Sequence, residues 1–174
     1  MKLDREITIN KRLYPKGAEI SWLSIYPFFM VHMLMFGGSG FVMSYSPLHL
    51  PLEHLLFIYI HGGIAIAVYT FFYLTIFGAD EVKWMFINSG LGLLGIYAQV
   101  GWLLSRFGRK IGDYPLYVHV TPFLYYVLYT FLLRNALLDI FAARENEQRR
   151  NAVDNLYIAF SVASSLVCYF LERH

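Results

Sequence analysis

Residues 21–79 contain one charged side chain, Glu53, and residues 84–105, 114–133 and 155–171 contain none. A chain of 174 residues cannot cover a water-facing surface with what remains: 15% of its residues are charged, against about 25% in soluble domains. The distribution excludes a soluble enzyme domain, a disordered chain and a nucleic-acid-binding module. A single cysteine, Cys168, excludes a disulfide scaffold. A polytopic membrane protein of the all-α class remains.

A helix of about 20 apolar residues crosses the ~30 Å hydrocarbon core. The stretch 21–79 therefore holds two spans, broken at Ser46-Pro47-Leu48-His49-Leu50-Pro51-Leu52-Glu53, where two prolines flank a histidine ahead of the lone charge. The expected architecture is a bundle of about five transmembrane helices at 22–44, 54–77, 82–104, 116–138 and 155–171, following a tail of residues 1–20. The alternative is four, if the third or the last segment fails to span. Trp84 and Trp102 bracket the third segment; their 18-residue separation corresponds to about 27 Å of helix, close to the hydrocarbon thickness. Eight charges precede the first apolar run, which argues against a cleaved signal peptide. The polar stretch 139–154 lacks Gly and Pro over 144–150 and is expected to continue helical in water.

Orientation follows the Lys and Arg balance. With the N-terminus cytoplasmic and five spans, the inner side receives ten of these residues and the outer side four. The expected location is the inner (plasma) membrane with the C-terminus outside. The outer loop carrying Arg106, Arg109 and Lys110 runs against the rule. Either a strong N-terminal signal overrides it, or it meets an anionic group such as a lipid head, a cofactor carboxylate or an acidic partner.

Ionisable groups inside a bilayer are costly and mark functional positions by default. Histidine supplies most of them. His61 lies two turns past His54, about 10 Å deep, and His119 about 5 Å into the fourth span. Both belong to the outer half, on the side of the basic loop. His32 lies near mid-membrane, roughly 9 Å deeper than His61. Two imidazoles at similar depth on facing helices, with cations near the propionates, suit a b-type haem. His61 and His119 are the best-matched axial pair, His32 is the substitute, and Arg106, Arg109 and Lys110 are the propionate partners. A metal site would centre on His54 and His61. A quinone has a place among Tyr117, Tyr125, Tyr126 and Tyr129. The alternative makes each histidine a satisfied interhelical hydrogen-bonder or an interfacial residue, and no short-spaced His motif or catalytic signature is present.

Asn88 and Gln99 read as polar glue between helices. Arg134, a turn from the inner end of its span, is expected to snorkel out to water. Gly92, Gly95, Ala98 and Gly101 recur every third residue on the third span. Such a stripe packs within the bundle, clears room for a flat cofactor or receives another subunit. The expected function is an integral subunit of a larger inner-membrane assembly, passing electrons through haem b or quinone near the outer face. The alternative is a stand-alone binding, carrier or immunity-type protein without cofactor. The expected partners are the lipid bilayer and other membrane subunits, with no role for nucleic acid.

Overall fold

A computed structural model describes residues 3, 6–9, 12–45 and 52–173; His49 and the terminal His174 lie outside this set, as do the side chains of His54 and His61. The chain is mostly helical. Strands β1 (Ile7–Ile9) and β2 (Arg12–Tyr14) pair antiparallel with Ile7 opposite Tyr14. The helices are α1 (Trp22–Tyr45), α2 (Leu52–Phe77), the short α3 (Ala79–Val82), α4 (Trp84–Gly95), α5 (Gly101–Ser105), α6 (Leu116–Ile140) and α7 (Glu147–Glu172). A π-helical turn, Ile96–Val100, joins α4 to α5, so that Trp84–Ser105 runs as one rod.

Three helices among the described residues are long and apolar enough to cross a membrane: Trp84–Ser105, Leu116–Ile140 and Glu147–Glu172. Helices α1 and α2 span 24 and 26 residues. The bounds follow the charge pattern closely, with two differences. The segment expected to be a tail carries the β1–β2 hairpin, tied back by hydrogen bonds from Leu3 N to Ala18 O (3.1 Å) and from Gly17 N to Leu3 O (2.9 Å). The stretch 139–154 is not continuously helical, because α6 ends at Ile140 and α7 restarts at Glu147. Ala142, with φ 48°, breaks the helix. Its N–H donates to Asp139 O, and the next N–H, of Ala143, donates to Leu138 O at 2.8 Å, closing the left-handed helix-end motif usually built on glycine. Asn146 then caps α7 by accepting from Arg149 N at 3.0 Å.

Helix α6 is the axle. It packs against α1, α2, α4 and α7, with buried residues from Val118 to Leu138 and exposed ends at Leu116 and Ile140. Against α1 the approach is close because α1 turns glycines toward it: a Cβ on Gly37 would lie 3.4 Å from the Tyr125 ring, and Gly40 faces Thr121 and Tyr125. The main core joins Tyr26, Met33, Tyr69, Tyr73, Phe131 and Leu132, and a second cluster joins Tyr45, Val100, Leu104 and Val118.

The small-residue stripe is consumed inside the chain. A Cβ on Gly92 would sit 3.1 Å from Phe123 and Tyr126, one on Gly95 2.9 Å from the Tyr126 ring, and one on Gly101 2.8 Å from a Glu172 carboxylate oxygen. Ala98 is buried as well. Of the three readings, packing within the bundle is the one the geometry takes.

Candidate functional site

Polar side chains gather at both ends of the bundle, and the two gatherings differ in kind. At one end Arg134, with no exposed surface, is the centre. Its Nε and Nη2 donate to the two carboxylate oxygens of Asp154 at 2.8 and 2.9 Å, and its Nη1 donates to Glu81 Oε2 at 2.7 Å. Its guanidinium carbon lies 3.6 Å from the centre of the Trp84 ring, a stacking geometry that suits a planar cation. Arg150 pairs with the other oxygen of Glu81. Two cations and two carboxylates thus close on one another, joining α3, α6 and α7 beside the first residue of α4. Arg134 does not snorkel, as the sequence suggested. Its six-residue distance from the helix end leaves it inside the packing, where carboxylates from two other helices reach it and water does not.

Beside it, Arg144 pairs with Asp139 and donates to Asn135 Oδ1 at 3.0 Å and to the Tyr26 hydroxyl at 3.1 Å, while Tyr26 donates to Asp139 Oδ2 at 2.5 Å. Burial weighs against the charge of Arg144, but the Asp139 hydrogen bond and the neighbouring Tyr26 outweigh it and raise its pKa above the ordinary arginine value. These groups satisfy one another, so this end fastens helices together. The amides hold α7 in the same way. Tyr157 donates to Asn88 Oδ1 at 2.9 Å, and Gln99 Nε2 donates to Ser164 and Ser165, each at 3.2 Å. Asn88 Nδ2 is buried with no partner among the described residues.

The opposite end is open. The last residue of α1, Tyr45, brings its hydroxyl to 2.7 Å from Nδ1 of His119, one turn into α6. Tyr114, just before Pro115 and the start of α6, stands edge-on to Tyr45 with ring centres 5.2 Å apart and reaches His119 at 6.4 Å. Arg109 closes the box. Gly108, at φ 69°, takes the left-handed position after α5, and the 3.1 Å hydrogen bond from Arg109 N to Leu104 O turns the chain back. Arg109 Nη1 then donates to Tyr114 Oη at 2.8 Å and to the Tyr45 carbonyl at 3.1 Å.

His119 and Tyr114 line one wall of an apolar groove of about 560 Å³ between α4 with its π turn and α6; Leu93, Ile96, Tyr97 and Phe123 are among the residues of its other sides. A groove that is mostly apolar with a few convergent polar groups is the usual form of a small-molecule site. The Tyr45 contact fixes the imidazole through Nδ1 and leaves Nε2 as the second ring nitrogen, the arrangement by which ligating or hydrogen-bonding histidines are oriented.

Of the residues singled out in the sequence, His119 and Arg109 come together in this box. Lys110 is next in the chain, its N–H donating to Asp113 Oδ2 at 2.7 Å, and Arg106 lies over the Trp102 ring at 5.4 Å. His32 is elsewhere: Nδ1 faces the Tyr69 hydroxyl on α2. It lies 13 residues along α1 from Tyr45, about 20 Å of helix, so it shares no ligand with His119. The side chains of His54 and His61 lie outside the described residues, and among those described no three His, Cys, Asp or Glu groups converge on a metal-sized site. Sequence reasoning missed Tyr45 and Tyr114. Their signal was position: Tyr45 at the end of the first apolar run, and Tyr114 between the basic loop and the start of the fourth span. Set against protein families, curated proteins and solved structures, the chain matches none.

Proposed function

We propose that this protein is an integral membrane bundle of five spans, N-terminus cytoplasmic and C-terminus outside, whose outer end binds a planar redox ligand of the quinone class. On this reading α1 and α2 span alongside the three apolar rods Trp84–Ser105, Leu116–Ile140 and Glu147–Glu172, and ten Lys and Arg against four set the orientation. The chain then serves as an electron-transfer subunit of a larger inner-membrane assembly.

The observation that carries the ligand reading is His119, held by Tyr45 at 2.7 Å, at the wall of a groove of about 560 Å³. A quinone ring needs an apolar slot and a hydrogen-bond donor for a carbonyl, and the imidazole is such a donor. A b-type haem is the second reading. It uses the same imidazole nitrogen as ligand and needs a second imidazole, for which His61 is the candidate. The metal reading, with His54 and His61, stands on sequence alone.

Purification in mild detergent, solvent extraction with chromatography and a reduced-minus-oxidised spectrum separate the cases. A stoichiometric quinone in the extract supports the first reading. A sharp α band in the spectrum, lost in His119→Leu, supports haem. A colourless and quinone-free preparation that also fails to bind added quinone overturns both and promotes a cofactor-free binding, carrier or immunity-type protein.

A further inference from the structure

The other side of the Tyr45–Arg109 wall carries a second, elongated cavity. Helices α1 and α5 both rest against the core around α6 and leave a cleft between them. Its lobe near Arg109 measures about 440 Å³ and is lined by Phe41, Val42, Tyr45, Leu103 and Phe107. A deeper lobe of about 300 Å³ continues past Leu34 and Gly38 to Met33 and Tyr129, and Phe41 and Leu103 belong to both lobes. From Met33 to Tyr45 is 12 residues of α1, about 18 Å, which matches the ~15 Å half-thickness of a hydrocarbon core. The cleft is kept wide by glycine: a Cβ on Gly38 would meet nothing within 4 Å.

One cation, Arg109, stands at the mouth. Arg134, Arg144 and Arg150 each have a carboxylate partner. Among the described residues no ion pair forms on Arg106, Arg109 or Lys110. Arg109 uses Nη1 on Tyr45 and Tyr114, which fixes the guanidinium at the rim with Nη2 and Nε still to offer.

We propose that this cleft seats one acyl chain of an anionic phospholipid, with the phosphate held by Arg109 and the headgroup flanked by Arg106 and Lys110. An apolar slot as long as a leaflet, ending at a fixed guanidinium, fits a chain and its phosphate together, since a guanidinium meets a phosphate with paired N–H donors. Anionic rather than zwitterionic lipid is selected because the rim carries the Arg109 guanidinium with no carboxylate among the described residues paired to it, and Arg106 and Lys110 follow in the same loop, so a phosphate that keeps its net charge gains most there. On the five-span reading, this also accounts for the basic loop that opposes the charge rule: it is retained for a ligand and not for orientation.

The test is thermal unfolding of the purified full chain in dodecyl maltoside, with phosphatidylglycerol or phosphatidylcholine added at equal mole fraction. Phosphatidylglycerol should raise Tm by about 5 °C with saturation, and phosphatidylcholine should not. Arg109→Gln should abolish the difference. Because Arg109 also holds two tyrosines, Gly38→Leu serves as the second variant: it has room to fold, keeps the lipid-free Tm and fills the slot, so the phosphatidylglycerol shift should vanish. His119→Leu, which tests the quinone reading, should keep the lipid shift. Equal shifts with the two lipids, or a Gly38→Leu protein that responds like wild type, would overturn the proposal.

Discussion

Arg134 and Asp154 meet in a two-pronged fork, Nε and Nη2 on the two carboxylate oxygens at 2.8 and 2.9 Å, with no exposed surface on the arginine. Breaking one side of a buried pair strands the other charge, which costs about 3–5 kcal/mol. Asp154→Leu and Arg134→Leu should each lower unfolding stability by that order, read from denaturant titrations monitored by tryptophan fluorescence. Glu81 shares Arg134, so the double variant Arg134→Leu with Asp154→Leu should recover only part of the loss, Glu81 and Arg150 remaining as a pair.

Ala142 holds a left-handed backbone at φ 48° where glycine carries no penalty. Ala142→Gly should stabilise the protein by about 1 kcal/mol, raising Tm without changing any contact of Arg144. A lower Tm would mean that the turn depends on the Ala142 side chain in a way the backbone geometry does not reveal.

Because Gly92 packs against Phe123 and Tyr126 and Gly95 against Tyr126, Gly95→Leu should abolish folding rather than release an intact chain from an assembly. Size-exclusion chromatography should show aggregate. A graded series is sharper. Gly95→Ala forces a packed aromatic ring to move and should cost about 1–3 kcal/mol, whereas Gly101→Ala meets only the carboxylate end of Glu172 and should cost less.

A reporter fused after His174 should behave as periplasmic and one inserted within residues 144–150 as cytoplasmic. The same side for both would mean that α7 does not cross, and the proposed five-span count would fall to four.

Helix positions were legible because charge marks where a helix must stop: residues 21–79 read as two helices, and α1 ends at Tyr45 and α2 begins at Leu52, the expected break at Pro47 and Pro51 lying outside the described residues. The position of a residue along its helix could be read from the sequence, but the neighbours of its side chain could not. Arg134 has the sequence position of a snorkelling arginine, and only the packing shows Asp154 and Glu81 reaching it from other helices. The same limit hid Tyr45 as the partner of His119, 74 residues away, and left the stripe from Gly92 to Gly101 open between an internal face and an external one. The hairpin was missed although Ile7-Thr8-Ile9 and Arg12-Leu13-Tyr14 flank Asn10-Lys11, a β-branched strand and a two-residue connection; the charges around it drew the reading toward a tail. The π turn at Ile96–Val100 has no sequence signal we can identify.

The central claim is that His119, set by Tyr45 at the wall of the groove between α4 and α6, presents its free nitrogen to a quinone-class ligand. The most direct measurement is titration of the detergent-solubilised chain with a short-tailed quinone, followed by quenching of aromatic fluorescence. Wild type should bind saturably. His119→Leu should weaken binding roughly tenfold, as expected for loss of one hydrogen bond of about 1.4 kcal/mol, and Tyr45→Phe should weaken it less. Saturable binding of equal strength in wild type and His119→Leu would contradict the account, as would no binding to a folded wild-type protein.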